Sequence, residues 1–166
     1  MKPFTLISAF VSTLALTIAP AVAKVDAGTP ALLRTVEAHG INVALNPPRC
    51  KGASYLGSYH SGHKTLTVCY DGRPDAGDHD TVRHEVFHAA QHSAGVKRGQ
   101  RYGVVPILRG TQLTEFINNS LTPSQINLIR SYYPSNKHAT ELEAFAAANV
   151  YTAAEIERIF VTWCAS

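Results

Sequence analysis

The chain has no C-x-x-C pair, no internal repeat, no low-complexity tract and no long apolar run after the one at its N-terminus. Without paired cysteines at short spacing, a cysteine-based zinc site is excluded. Without repeats or biased tracts, a solenoid or a string of linked modules is excluded. Strong charge of one sign is also missing: 15 Lys and Arg face 12 Asp and Glu, for a net charge of +3. No basic stripe is interleaved with aromatics, so nothing points to a nucleic-acid partner. What remains is one modest domain in a chain of 166 residues.

The N-terminal run has the form of an export signal. Lys2 gives a minimal positive start, Phe4 to about Ala19 is apolar apart from hydroxyl residues, and Ala21-Val22-Ala23 supplies small residues at a cleavage site. This predicts removal of residues 1–23 before Lys24. The run is shorter than the roughly 20 apolar residues of a membrane span, and Pro20 closes it. The mature domain, residues 24–166, is then expected to carry no integral anchor and to be secreted or periplasmic. Processing removes Lys2 and no acid, so the net charge falls from +3 to +2. Cys50, Cys69 and Cys164 all lie beyond the cut. An oxidising compartment favours a disulfide, with Cys50 and Cys69 as the preferred pair and Cys164 as a competitor for either.

Along the mature chain, Leu32, Leu33 and Val36 recur at helical spacing from Pro30 to about His39. Residues Ile41 to Leu45 alternate like a strand. Tyr55 to Tyr59 and Thr65 to Tyr70 are two more strands, joined by a polar Gly-containing turn into an antiparallel hairpin. A loop follows from Asp71 to Gly77. A helix is expected from Asp80 or Thr81 to about Ser93, with Gly95 as its stop. The segment from Lys97 to Gln112, with Gly99, Gly103, Pro106 and Gly110, reads as a loop over the surface or a cleft. Thr122-Pro123 opens a helix that ends before Pro134, and another spans about Ser135 to Asn149. A last helix starts at Thr152, where Glu155 stands at capping-box spacing. Its inner face is Ile156, Ile159, Phe160 and Trp163. Strands early and helices late give an α+β fold, a small antiparallel sheet followed by helices.

The chemistry gathers in the helix after the hairpin. His84 and His88 are four residues apart, on one face and about 6 Å apart along the axis. Two imidazoles so placed can converge on one ion with Zn–N bonds near 2.1 Å. Glu85 projects beside the pair, where it can reach a zinc-activated water without being a ligand. His92 continues the row, but it is about 12 Å from His84 along the axis and cannot share the same ion. A metzincin arrangement needs Gly and His where this chain has Gln91 and Ala94, so that route is closed. Catalytic zinc takes three protein ligands. The Ala-rich helix from His138 to Ala148 offers Glu141 or Glu143, which are two residues apart and so cannot point the same way.

His84-Glu85-x-x-His88 followed by Glu-x-x-Ala on a later helix resembles the gluzincins, the thermolysin-like branch of zinc metallopeptidases. The run Glu141-Leu142-Glu143-Ala144 is similar to that branch's second helix, in which the first Glu is the ligand. The resemblance therefore implies a minimal zincin-like domain with zinc on His84, His88 and Glu141 and with Glu85 as general base. Many members place Asp directly after the small residue, where this chain has Phe145. The strand from Thr65 to Tyr70 matches the position of the edge strand that aligns an extended peptide in such enzymes. For the oxyanion donor, His138 and Tyr133 precede the ligand helix, with Tyr132, Tyr102 and His79 as further choices.

The expectation is thus an exported zinc peptidase acting on a peptide or protein substrate. Two other functions share its residues. A non-catalytic zinc module that docks a partner has no use for Glu85. A zinc amidase acting on cell-wall peptides uses the same chemistry, but the chain has no recognisable wall-binding module.

Overall fold

The computed structural model describes residues 27–70, 76–100 and 103–164. The expected signal segment, most of the loop before the metal-motif helix, and Tyr102 lie outside the described residues. The architecture is α+β, a three-stranded sheet with six helices among the described residues. Helix α1 (Thr29–Ala38) leads into β1 (Asn42–Leu45), and the hairpin strands β2 (Gly57–His60) and β3 (Thr65–Val68) follow.

β2 and β3 pair antiparallel, as the turn between them requires. β1, however, lies parallel to β3, so the sheet is mixed rather than wholly antiparallel, with order β1-β3-β2. The cause is the path of the connection at 46–56. Leu45 and Gly57 both pair with Val68, so the chain leaves β1 and enters β2 at the same end of the sheet, passing over the end of β3. The disulfide Cys50–Cys69 fastens that passage to the exit of β3. Asn46 N–H donates to Val68 O (2.7 Å) and Cys69 N–H to Leu56 O (2.7 Å), closing the same corner. Central placement of β3 removes it as the expected edge strand. β1 and β2 are the edges, and β2 is the one that faces Glu85.

Helix α2 (Ala76–Lys97) is the axis of the molecule. It packs against α1, β2, β3 and two later helices, α5 (His138–Val150) and α6 (Ala153–Cys164). Every residue from Val82 to Gln91 is buried. The expected stop at Gly95 does not occur. Gly95 is buried where a Cβ would lie 3.4 Å from Val105 Cγ2, so the glycine gives a close packing contact. The helix ends one turn later, in a Schellman motif about Gly99 (φ +80°). Gly99 N–H donates to Val96 O (2.9 Å) and Gln100 N–H to Gly95 O (3.0 Å).

The expected loop from Lys97 to Gln112 gives way at Gly110 to a further helix, α3 (Gly110–Ser120), and α4 (Pro123–Tyr132) follows it. α4 starts with a full capping box between Thr122 and Gln125. Thr152 and Glu155 make the corresponding bonds ahead of α6. One apolar core joins α1, β3, α2, α5 and α6 around Leu32, Leu66, Val86, Ala147, Ile156 and Phe160. A second, around Ile117, Leu121, Ile129, Leu142 and Ala146, seats α3 and α4 on α5. Alanines at Ala89, Ala90, Ala144 and Ala147 are fully buried and let α5 approach α2 closely.

The disulfide closes a loop of sequence separation 19. Its replacement by a Cys50→Ser, Cys69→Ser pair is expected to lower stability by roughly 3 kcal/mol in chemical denaturation.

Candidate metal centre

α2 and α5 bring the motif residues face to face. Glu141 Oε2 lies 3.4 Å from His84 Nε2 and 3.3 Å from His88 Nε2. All three side chains are buried, and their ligand atoms lie within 4.8 Å of one another. Those separations are longer than the usual 2.9 Å of an N–H···O hydrogen bond. Bonds of about 2.1 Å at tetrahedral angles put donor atoms about 3.4 Å apart, so the spacing fits one shared ion. Glu141 sits in the first turn of α5, where the helix dipole favours a carboxylate. Burial pushes its carboxyl up, but hydrogen bonding and charge from His84 and His88 outweigh burial and hold it down at about 2. Burial, aided by His88, lowers His84 to about 4. His88 is pushed down by burial, yet Glu141, Glu85 and Gln91 together hold it above the ordinary imidazole value.

The two imidazoles are supported differently. His88 Nδ1 meets Gln91 Oε1 at 2.7 Å. His84 Nδ1 is buried with no partner among the described residues. Its ring instead packs on Phe145, with centroids 4.3 Å apart and planes tilted 58°. Phe145 thus supports the His84 ring by packing alone.

Glu143 takes the opposite side of α5, as a two-residue spacing requires. Its oxygens accept Leu108 N–H (2.7 Å), Ile107 N–H (2.8 Å) and Gln91 Nε2–H (2.8 Å). It is fully buried and is not part of the His84, His88, Glu141 group. Burial pushes its carboxyl up, while these three donors and Arg98 pull it down. Arg98 holds the other side of the same strap, donating to Pro106 O (2.6 Å) and Ile107 O (2.7 Å). A stretch without periodicity is therefore anchored at both of its peptide faces.

Glu85 is buried against β2. The Tyr59 backbone N–H donates to its carboxylate, while Oε2 has no partner. Burial pushes its carboxyl up to about 7. Its close approach to the sheet depends on Gly57. A Cβ there would lie 2.5 Å from Thr81 Cγ2, 2.8 Å from Glu85 Cγ and 2.9 Å from Glu85 Oε1. A cleft of about 780 Å³ opens over His84 and Glu85, between the segment from Ser54 to Gly57 on one side and α4 with Tyr132, Tyr133 and Phe145 on the other.

Tyr133 lines this cleft, and burial, with Glu141 and Glu85 nearby, raises its phenol to about 12. His138 does not line it. Its ring Nε2 lies 2.8 Å from Tyr133 O and 3.2 Å from Arg130 O, so the donated proton holds the backbone that carries Tyr133. Tyr132 is a largely exposed part of the rim. His79 bonds Thr29 Oγ1 (2.7 Å) and joins α2 to α1. His92 bonds the Tyr59 hydroxyl (3.1 Å) and is outside the three-residue group. From the sequence, Gln91 served only to close the metzincin route, and Gly57 and Arg98 had no role. Gln91 was discoverable, since it falls on the His84–His88 face at i+7 and i+3. Gly57 carried no local signal.

No protein-family profile, curated protein or solved structure matches this chain. The site therefore stands on its own geometry.

Gly57→Ala tests the contact between β2 and α2. The added methyl is expected to lower stability by about 1–3 kcal/mol in a denaturation series, through overpacking against Thr81 and Glu85.

Proposed function

We propose that the chain is an exported, gluzincin-type zinc peptidase that hydrolyses peptide bonds with Glu85 as general base. One observation carries this reading: a buried carboxylate with an unpartnered oxygen lies at the cleft beside a His, His, Glu group of ion-binding size. A site that only stores or displays metal has no need of Glu85. The unpartnered Oε2 is the acceptor that an attacking water requires.

His84, His88 and Glu141 would hold the ion, and zinc suits two imidazoles and a carboxylate. Zinc bound there supplies Lewis acidity and brings the pKa of a water towards about 7. Glu85, itself raised to about 7, is matched to neutral pH as a base. It takes the water proton at Oε2 and passes it to the leaving amine nitrogen. Tyr133 stays protonated, since its phenol is raised to about 12, and donates to the carbonyl oxygen as negative charge develops. His138 keeps the Tyr133 backbone in place. An extended substrate would lie against the segment from Ser54 to Gly57, which lines the cleft at the β2 edge of the sheet. Strand addition there supplies affinity from backbone hydrogen bonds. Export agrees with the disulfide, and no helix among the described residues is long and apolar enough to cross a membrane.

Hydrolysis of a mixed peptide library by the purified protein should stop on addition of a chelator and return with zinc. Glu85→Gln should retain zinc at one ion per chain and lose turnover. Equal cleavage by that variant overturns the mechanism. Tyr133→Phe should lower kcat by roughly 10²–10³-fold with little change in KM, as expected for a lost oxyanion donor. Steady-state kinetics on a single cleaved peptide separates the two constants.

A further inference from the structure

The amide of Gln91 sits between His88 and Glu143, and its orientation is decided by what surrounds it. Its nitrogen faces two acceptors, Glu143 Oε2 at 2.8 Å and Thr140 O at 3.0 Å. Both protons of the amide are used there, so turning the NH₂ end towards His88 would set the amide oxygen against two acceptors. The carbonyl end therefore faces His88, 2.7 Å from Nδ1. Only a protonated Nδ1 can answer a carbonyl oxygen. The neutral ring then keeps its lone pair on Nε2, the atom that faces Glu141 at 3.3 Å.

We infer that Glu143 is a positioning residue for the metal centre, setting the tautomer of His88 through Gln91 and fastening the 106–108 strap to the same point. The proposal rests on the metal reading of His84, His88 and Glu141. Glu143 performs both tasks because its two oxygens accept from Gln91, Ile107 and Leu108 together. A neutral amide at this position presents one oxygen and one NH₂ group. It must turn a donor towards at least one of those donors. Either Gln91 loses the acceptor that holds its orientation, or the strap loses a backbone bond. His84 has no equivalent support, since its Nδ1 is unpartnered and its ring rests on Phe145. The orientation of the pair thus depends on His88, and through Gln91 on Glu143. Partners that orient a metal-bound histidine typically contribute roughly 10–100-fold to metal affinity.

The test is zinc affinity, measured by competition with a chromophoric chelator, together with the NMR signal of the His88 Nδ1–H proton in the metal-free protein. Wild type should show that proton protected from solvent exchange. Glu143→Leu, which removes both acceptor oxygens, should lose the protection and weaken zinc binding by roughly 10–100-fold. Gln91→Met cuts only the first link. It should give the same two losses while the Ile107 and Leu108 amides stay protected from exchange, and it serves where Glu143→Leu does not fold. Leu32→Ala, a core truncation on α1 remote from the chain of bonds, should lower thermal stability and leave both readouts unchanged. Zinc affinity within twofold of wild type in the folded Glu143 and Gln91 variants, with the Nδ1–H proton still protected, overturns the proposal alone. A wild-type protein without zinc affinity overturns the metal reading and this proposal with it.

Discussion

A central helix that carries Arg83, His84, Glu85, His88 and Gln91 into the interior sets the terms for everything packed around it. Buried polar groups are tolerable only when they are paired, and four of these five find partners on α5 while Glu85 finds one on β2. Arg83 bonds Asp80 and the carbonyl of Ala148 at the end of α5. Gln91 bonds α5 at two points. Glu85 is met by the backbone of β2. The histidines converge on Glu141. The helix thus determines where α5, β2 and the strap at 106–108 must lie, and among the described residues the buried side-chain atoms left unmatched are His84 Nδ1 and Glu85 Oε2. Unmatched buried atoms are rare enough to point to function. Here Glu85 also lines the cleft, and the proposed role as base rests on that oxygen.

The parts of this arrangement that depend on spacing within one element were legible in the sequence. His84 and His88 sit a turn apart on a helix in any fold, and Glu85 must lie to their side. Capping at Thr122 and Thr152 could be read because a capping box spans only four residues. Divergence of Glu141 and Glu143 followed from a spacing of two, although which one joins the histidines depends on how α5 faces α2. The disulfide pair was legible because the two cysteines flank one hairpin.

What escaped the sequence depends on contacts across long separations. Glu143 bonds residues 35, 36 and 52 positions away, and no local pattern encodes them. The strap at 106–108 has no period of its own because Arg98 and Glu143 hold its peptides. Gly95 resembled a stop signal, but it serves close packing, and the chain stops at Gly99 instead. α3 was hidden by a start without a side-chain cap, although Leu113, Phe116 and Ile117 stand at i, i+3 and i+4. Strand order is likewise non-local. The passage at 46–56 over β3 made β1 parallel and put β3 in the centre, leaving β2, the strand that touches Glu85, at an edge.

The central claim is that His84, His88 and Glu141 hold one zinc ion beside Glu85. Anomalous diffraction at the zinc edge, from crystals of the zinc-loaded protein, tests it most directly. The account predicts a single strong peak within bonding distance of His84 Nε2, His88 Nε2 and Glu141 Oε2, open on the side of Glu85. A peak on Glu143 or His92, or none between α2 and α5, contradicts it.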